Sequence, residues 1–414
     1  MSAKVIAATA ALLLAWAARA EPLTCQRAVE YALERNSEIA NLTAEVRAAS
    51  ARLGGAELVV QHNPEVSVGA GPRRHGDQHT TDLEVSLAQR LELFGQRAAR
   101  IEVAAAEREA AEARLAARRV GLAAEARAAF ARALATERLV ALTREDLVVA
   151  RDSVRSVQRR AELGSVSQLE VNAARTESGR AALSVAVATR RAAAARAELR
   201  NLLGVDASAR LELDGELAPP AAAASIEVEA LVAKALAVRP DLIAARREAR
   251  AAEAEGRLAE REAYPSPVVG ARYAREEGAE ILVGTVTLEL PVSNRNQAGR
   301  GVAAARLFKA VAELAAVERR VQAEVRLAVE RSRDAAEAVA AYEGEAIQSA
   351  DANLTLAGTA YEAGKIGIAE LLLIRRGAVE ARREHVEALL EAREAEAELA
   401  RAVGSEALVP GRDP

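Results

Sequence analysis

The chain has 414 residues and a formal net charge of -4; hydrophobic side chains make up 51% of it but aromatic ones only 2%. So little aromatic bulk beside so much Ala, Arg, Glu and Leu argues against one large globular core and for long helices packed through small residues. The many Arg are balanced by Glu, which fits solvated helix faces of mixed charge and excludes the basic surface of a nucleic-acid-binding protein.

Residues 1–20 read as a secretory signal. Lys4 supplies the positive start, Val5–Ala18 the apolar stretch and Ala18-Arg19-Ala20 a small-x-small cleavage site. That stretch falls short of the roughly 20 residues a membrane-spanning helix needs, and no later one reaches it. Any membrane insertion of the exported chain must therefore use strands. Cys25 is the only cysteine, so an intrachain disulfide is excluded. Its thiol is expected to be buried and inert. Lipid modification is the alternative, although Pro22-Leu23-Thr24 lacks the usual aliphatic residue three places before the Cys.

A short helix is predicted over Gln26–Arg35, and a second from near Ser37 to about Gln61, where Asn63-Pro64 stops it. Two strands follow, joined by an exposed loop at Gly69–Asp77. In the second, Leu83, Val85, Leu87 and Leu91 alternate with Glu84, Ser86 and Arg90, the pattern of a two-faced sheet. A helix from Gly95 to Leu163 would then run about 100 Å at 1.5 Å per residue. It breaks at Arg160–Arg175, RAELGSVSQLEVNAAR, and a return helix ends at Leu203-Gly204.

The order then repeats. Val228–Val238 is a short helix, and Pro240 suits the first turn of a second one running to about Glu262, before Pro265-Ser266-Pro267. Two strands flank a loop at Arg275–Gly278; in the later one Leu282, Val286, Leu288 and Leu290 alternate with Thr285, Thr287 and Glu289. The second long helix breaks at Tyr361–Arg376, YEAGKIGIAELLLIRR, and its return ends at Val403-Gly404. Gly164 matches Gly364, Glu170 matches Glu370, and Asn63-Pro64-Glu65-Val66 matches Ser266-Pro267-Val268-Val269. The chain is thus a duplication: a first repeat over 21–225, a second over 226–405 and a tail at 406–414. Leu314, Val321 and Ala328 recur at heptad spacing, as do Leu372, Val379 and Val386, so the helices should pair as coiled coils.

Four strands cannot close a membrane barrel, which needs about eight. An open edge in lipid would cost several kcal/mol per unpaired backbone group. Two or three copies sharing one barrel would satisfy the count. A solitary antiparallel coiled coil, serving as a periplasmic adaptor or scaffold, is the competing reading of the helices alone.

Four motifs in this order resemble the TolC-type outer-membrane efflux proteins. They are Leu91-Glu92-Leu93-Phe94-Gly95-Gln96-Arg97, Leu163-Gly164-Ser165-Val166-Ser167, Leu290-Pro291-Val292-Ser293-Asn294-Arg295-Asn296-Gln297 and Tyr361-Glu362-Ala363-Gly364. The resemblance covers nearly all of the mature chain. It implies a mainly α fold with a small β part: long antiparallel α-helical hairpins forming a trimeric α-barrel, continued by a shared twelve-stranded transmembrane β-barrel with four strands per chain. It further implies a homotrimer in outer-membrane lipid, with a helical tunnel in the periplasm docking a periplasmic adaptor and an inner-membrane pump, of RND type. The Leu-Phe-Gly and Asn-Arg-Asn-Gln pair is most similar to the CzcC-like heavy-metal branch. The chain departs from that pattern at Val292-Ser293 and at Ala298. Organic compounds or exported protein are the alternative cargo.

Such a duct needs no catalytic residue, cofactor or resident metal, and none is indicated. The sequence has no Ser/His/Asp set, phosphate-binding Gly loop or Cys/His cluster with ligand spacing. His75 and His79 share the first hairpin loop and read as solvated; His62 and His385 have no visible partner. Gly164 and Gly364 are required by tight turns. The resemblance makes these turns adaptor-docking tips, with Ser165, Ser167, Tyr361 and Lys365 around them. It also places Glu370 at the tunnel constriction, where three like charges would favour cations, and puts Leu373 where a second acidic residue can stand. A structural role shared with Glu170 is the competing account of Glu370.

Overall fold

A computed structural model describes residues 22–75, 78–219 and 227–404. The expected signal peptide and the 406–414 tail lie outside the described residues. The first half contains α1 (Cys25–Arg35), α2 (Ser37–Ala56), β1 (Glu65–His75), β2 (Gln78–Arg90), α3 (Gln96–Glu162) and α4 (Gln168–Leu203). The second contains α5 (Val228–Val238), α6 (Pro240–Arg261), β3 (Val268–Glu276), β4 (Ala279–Thr287), α7 (Gln297–Ala341), a π turn (Tyr342–Ala346), α8 (Ile347–Glu362) and α9 (Ile368–Ala402). The fold is mainly helical with one small antiparallel sheet, as expected. Its chain divides into two compact units, one of Asn41–Ala117 with Pro240–Arg320, the other of the remaining segments.

The Asn41–Ala117 and Pro240–Arg320 unit holds the sheet, in the order β1-β2-β3-β4 with every neighbour antiparallel. Its strands reach further into the hairpins than the sequence suggests. Gly69–His75 is strand, not loop, and pairs in register as far as His75 with Gln78. Glycine, proline and arginine there mimic a loop. But β1 is an edge strand, where Pro72, paired with Thr81, can lack an N–H at little cost. Likewise Arg275 and Glu276 end β3, and the turn shrinks to Glu277 and Gly278, both left-handed at φ 53° and 81°. Conversely, α2 stops at Ala56 instead of Gln61. Gly54 and Gly55 weaken its last turn, and Leu58, Val59 and Val60 beyond them are exposed, with no face to hold a helix. Strand β4 ends at Thr287, leaving Leu288 and Leu290 outside it. At the sheet centre a Cβ on Gly270 would come within 2.7 Å of the Leu87 carbonyl oxygen, so close strand approach requires glycine there.

The helices of this unit pack through alanines, including Ala104, Ala110, Ala111, Ala245, Ala252 and Ala303, all buried. Ion pairs edge the contacts, such as Arg257 with Glu102 at 2.6 Å and Arg114 with Glu248 at 2.9 Å.

In the other unit the two repeats close in the same way. Gly204 ends α4 at φ 61°, where a Cβ would come 2.8 Å from the Arg35 carbonyl oxygen; Gly404 follows α9 at φ 70°, with its Cβ position 3.0 Å from Arg239 Cα. Each return helix therefore ends against the joint between its repeat's two short helices, a closeness only glycine permits. Buried Arg239 donates to the Ala402 carbonyl at 3.3 Å and pairs with Glu324. Every heptad position named above is buried or half-buried. Residues 22–24, just before α1, are part of the fold: Leu23 is buried, its N–H donates to the Glu212 carbonyl at 2.7 Å and its carbonyl accepts from Asp214 N–H at 3.0 Å. The Cys25 thiol is half-buried, and burial pushes its pKa up, as suits a packing residue. The π turn had no sequence signal; within it the Tyr342 hydroxyl donates to Glu384 on α9 at 2.7 Å.

Candidate functional site

Both helix breaks fold as the same turn. At the first, Ser165 N–H donates to Arg160 O at 2.8 Å and Gly164 N–H to Ala161 O at 2.9 Å, with Gly164 at φ 74°. At the second, Lys365 N–H donates to Ala360 O at 2.8 Å and Gly364 N–H to Tyr361 O at 3.0 Å, with Gly364 at φ 70°. These paired bonds satisfy the last carbonyls of α3 and α8, and the left-handed residue between them favours glycine. The two turns share one core, in which Val157, Val171 and Ala174 of the first hairpin pack with Tyr361, Ile368 and Leu372 of the second. The structure thus brings the two predicted tips together.

Around the turns Gly164, Ser165, Ser167, Gly364 and Lys365 are all exposed, whereas Tyr361 is not. Only 8% of Tyr361 is accessible, and its ring lies in the shared core with the Arg160 guanidinium 4.7 Å from the centroid. Tyr361 is corrected from tip surface to packing residue: its position on the last turn of α8 faces α3. Sequence reasoning passed over Leu163 and Leu169, which are 81% and 77% exposed at the first tip. Their matches in the second repeat are Ala363 and Ala369. Leucine at both positions of one tip against alanine at both positions of the other was the available signal.

The repeat-mates Glu170 and Glu370 behave differently. Glu170 reaches back to its N-cap, Ser167, accepting from both N–H and Oγ at 3.4 Å. The N-cap facing Glu370 is Gly367, which has no side chain. Among the described residues Glu370 makes no hydrogen bond or ion pair, and it is exposed on α9 with Leu373, itself 66% exposed and one turn along the same face. A shared capping role therefore does not explain Glu370.

Two residues beyond Leu373 stands a charge that no motif flagged. Arg375 is buried on α9 and donates to Asp146 on α3 from Nε at 3.2 Å and Nη2 at 2.6 Å, and to Ser153 Oγ from Nη1 at 3.3 Å. Its repeat-mate Arg175 is exposed and unpaired among the described residues.

The sheet presents a second surface. Val66, Val68, Leu83, Val85, Leu87, Leu282 and Val286 share one side and are all exposed. On the reverse side Asp82, Glu84, Ser86 and Arg272 are half-buried, with Ser67 and Ser86 hydroxyls 2.7 Å apart and Arg272 3.6 Å from Glu84. Along β2 the apolar side chains face out and the polar ones are shielded, the reverse of a strand on a water-soluble core, whereas on β4 Ile281 and Val283 are half-buried on the polar side and Thr285 and Thr287 exposed there. No helix among the described residues is long and apolar enough to cross a membrane.

No set of three or more His, Cys, Asp or Glu among the described residues is placed to hold a metal. His75 and His79 belong to strands, His75 opposite Gln78 and His79 opposite Arg74. His385 stacks obliquely on Tyr342, and His62 offers its carbonyl to Gln89.

A family model described as outer membrane efflux protein matches residues 28–205 and again 231–405. No curated protein sequence matches the chain. Among solved structures, a membrane protein from Pseudomonas aeruginosa is 22% identical over 92% of this chain and 93% of its own, with a TM-score of 0.76. CusC, described in terms of folding and transmembrane channel formation, is 19% identical over 92% of each chain, with a TM-score of 0.77. The open-state MtrE outer membrane channel of Neisseria gonorrhoeae is 19% identical over 92% of this chain and 88% of its own, with a TM-score of 0.76. At these identities the likeness is one of fold.

Proposed function

The chain belongs to the outer membrane efflux protein family, a family of channels and not of enzymes, and we propose that it is the outer-membrane duct of a tripartite efflux system. It conducts its cargo passively to the exterior from a periplasmic adaptor and an inner-membrane pump of RND type. The inverted sheet carries this reading. Its open apolar side suits lipid and its shielded polar side a water-filled lumen. Edge strands β1 and β4 each leave a row of backbone groups unpaired, and lipid tolerates neither row. Because β1 and β4 run in opposite directions, β4 of one copy can pair antiparallel with β1 of the next. Three copies so joined close a twelve-stranded barrel.

In this assembly the tips at Gly164, Ser165, Ser167, Gly364 and Lys365 form the adaptor-docking surface. Glu370 and Leu373 form the gate, with three free carboxylates attracting cations and three leucines narrowing the opening. Divalent heavy-metal cations are the cargo. The freedom of Glu370 and the resemblance of Asn294-Arg295-Asn296-Gln297 to the metal-efflux branch support that choice.

On denaturing gels the unheated protein should run as a trimer and collapse to the monomer on heating. A monomer under both conditions would favour a periplasmic scaffold. Deletion of the gene should lower zinc, cobalt or cadmium tolerance. Loss of drug tolerance alone would transfer the cargo to organic compounds.

A further inference from the structure

The sheet has two free edge strands, and each continues into a helix at the edge of the layer beside it. β1 is preceded by α2 and β4 is followed by α7. Ion pairs join α2 to α3 (Arg52 with Glu107 at 4.0 Å), α3 to α6 (Arg257 with Glu102 at 2.6 Å) and α6 to α7 (Arg306 with Glu255 at 2.8 Å), so the helices keep the order of the strands. On the face of α7 turned from α6, Ala305, Phe308 and Ala312 stand at successive turns and are all exposed. Phe308 is 79% accessible and one of three phenylalanines in the chain, a single large knob between alanines.

The duplication shows what that knob replaces. With Leu91 aligned on Leu290 and Pro64 on Pro267, the pair Arg52 and Glu107 falls on Glu255 and Arg306, the same bridge with its charges exchanged. The free face of α7 then corresponds to the side of α3 that packs on α6, and the free face of α2 to the side of α6 that packs on α3. That internal seam is ionic: Arg247 pairs with Glu109 and Arg257 with Glu102. The counterparts at the free edges are Ala44 with Phe308 and Gly54 with Gly301, all exposed. Neither ion pair survives there. A large apolar side chain and a small one stand where an arginine would meet a glutamate.

We propose that the α7 edge of one copy packs on the α2 edge of a second, with Phe308 seated on Ala44 and the adjoining Ala48, as an apolar version of the seam between α3 and α6. This rests on the membrane-duct reading above. A second copy is the occupant because α7 and α2 extend the line along which β4 meets β1, and because the two faces match crosswise, large to small, as a knob matches its hole. Head-to-tail contacts of this kind close into a ring. Replacing ions by apolar groups suits a joint between permanently associated chains, whose interfaces are the more hydrophobic class.

The test exchanges the two chemistries and reads the temperature at which the unheated trimer collapses on denaturing gels. Phe308→Glu should lower it, and Phe308→Glu with Ala44→Arg, which rebuilds the Arg247 and Glu109 pairing across the seam, should restore it. Helical circular dichroism checks that each variant is folded. A collapse temperature unchanged by Phe308→Glu would overturn the contact and leave the duct standing. A loss that Ala44→Arg fails to relieve would overturn Ala44 as the partner. Independently, Phe308→Cys with Ala44→Cys, on a Cys25→Ser background, should be joined by a short bismaleimide into covalent dimers and trimers; products confined to the monomer would also overturn the contact. An unsubstituted protein that never forms a trimer would remove the membrane reading itself, and the seam with it.

Discussion

The Arg375 guanidinium on α9 and the Asp146 carboxylate on α3 meet at 2.6 Å with only 7% and 19% of their side chains accessible. Removing one member of such a pair strands a desolvated charge, whereas removing a solvated arginine does not. Arg375→Ala should therefore destabilise the protein by about 3–5 kcal/mol in urea unfolding. Arg175→Ala at the repeat-mate should stay within about 0.5 kcal/mol. Equal effects would mean that Asp146 adds nothing to the hold on α9.

Glu170 and Glu370 should separate in function. Glu370→Gln in the planar-bilayer channel is expected to lower the preference for cations over anions. Glu170→Gln should leave selectivity alone and cost at most about 0.5 kcal/mol, because its capping contacts of 3.4 Å are long. Reversal-potential measurements in a salt gradient read the difference, and a shift of equal size in both variants would remove Glu370 from the gate.

The Tyr361 hydroxyl is buried and has no hydrogen-bond partner among the described residues. Such a group contributes a desolvation penalty on the order of 1–3 kcal/mol. Tyr361→Phe should accordingly be neutral or stabilising, by up to about 1 kcal/mol, while Tyr361→Ala should cost about 3–5 kcal/mol through the cavity left in the shared core. Thermal melts of the two variants decide it. A destabilised Tyr361→Phe would show that the hydroxyl is satisfied.

Much of this architecture could be read from the sequence because its signals are local. Gly164 and Gly364 announce their turns, Leu83, Val85 and Leu87 alternate as a strand must, and the match between halves exposes the duplication. What escaped depended on position in three dimensions. Gly69–His75 looks like a loop until β1 proves to be an edge strand, where Pro72 is harmless. Tyr361 looks like tip surface until α8 is rotated against α3. Arg375 is one arginine among many, and only its neighbour 229 positions away distinguishes it. The π turn at Tyr342–Ala346 shows no helix-breaking residue beyond Gly344, which an intact helix also tolerates.

Glycines at equivalent left-handed positions should differ in what they tolerate. A Cβ at Gly164 would meet nothing within 4 Å, so Gly164→Ala pays only the backbone term of roughly 1–2 kcal/mol. At Gly204 the same Cβ would stand 2.8 Å from the Arg35 carbonyl oxygen, and backbone cannot step aside as a flexible side chain can. Gly204→Ala should therefore exceed Gly164→Ala by about 1–3 kcal/mol. Urea midpoints at constant slope give the comparison, and equal losses would mean that α4 and the α1–α2 joint separate at little cost.

Leu163 and Leu169 offer the last contrast. Both are more than three-quarters exposed, at 81% and 77%, and neither holds the turn, which is closed by the backbone bonds of Gly164 and Ser165. Replacing them with asparagine should leave stability within about 0.5 kcal/mol, as at other exposed sites. If the first tip docks an adaptor, however, the apolar area lost there is area no longer taken out of water on binding, at about 25 cal/mol per Å2. Leu163→Asn with Leu169→Asn should then weaken site-specific crosslinking to the adaptor, while Ala363→Asn with Ala369→Asn at the second tip should weaken it less. Crosslinking unchanged in both pairs, with the trimer intact, would place the docking surface elsewhere on the hairpins.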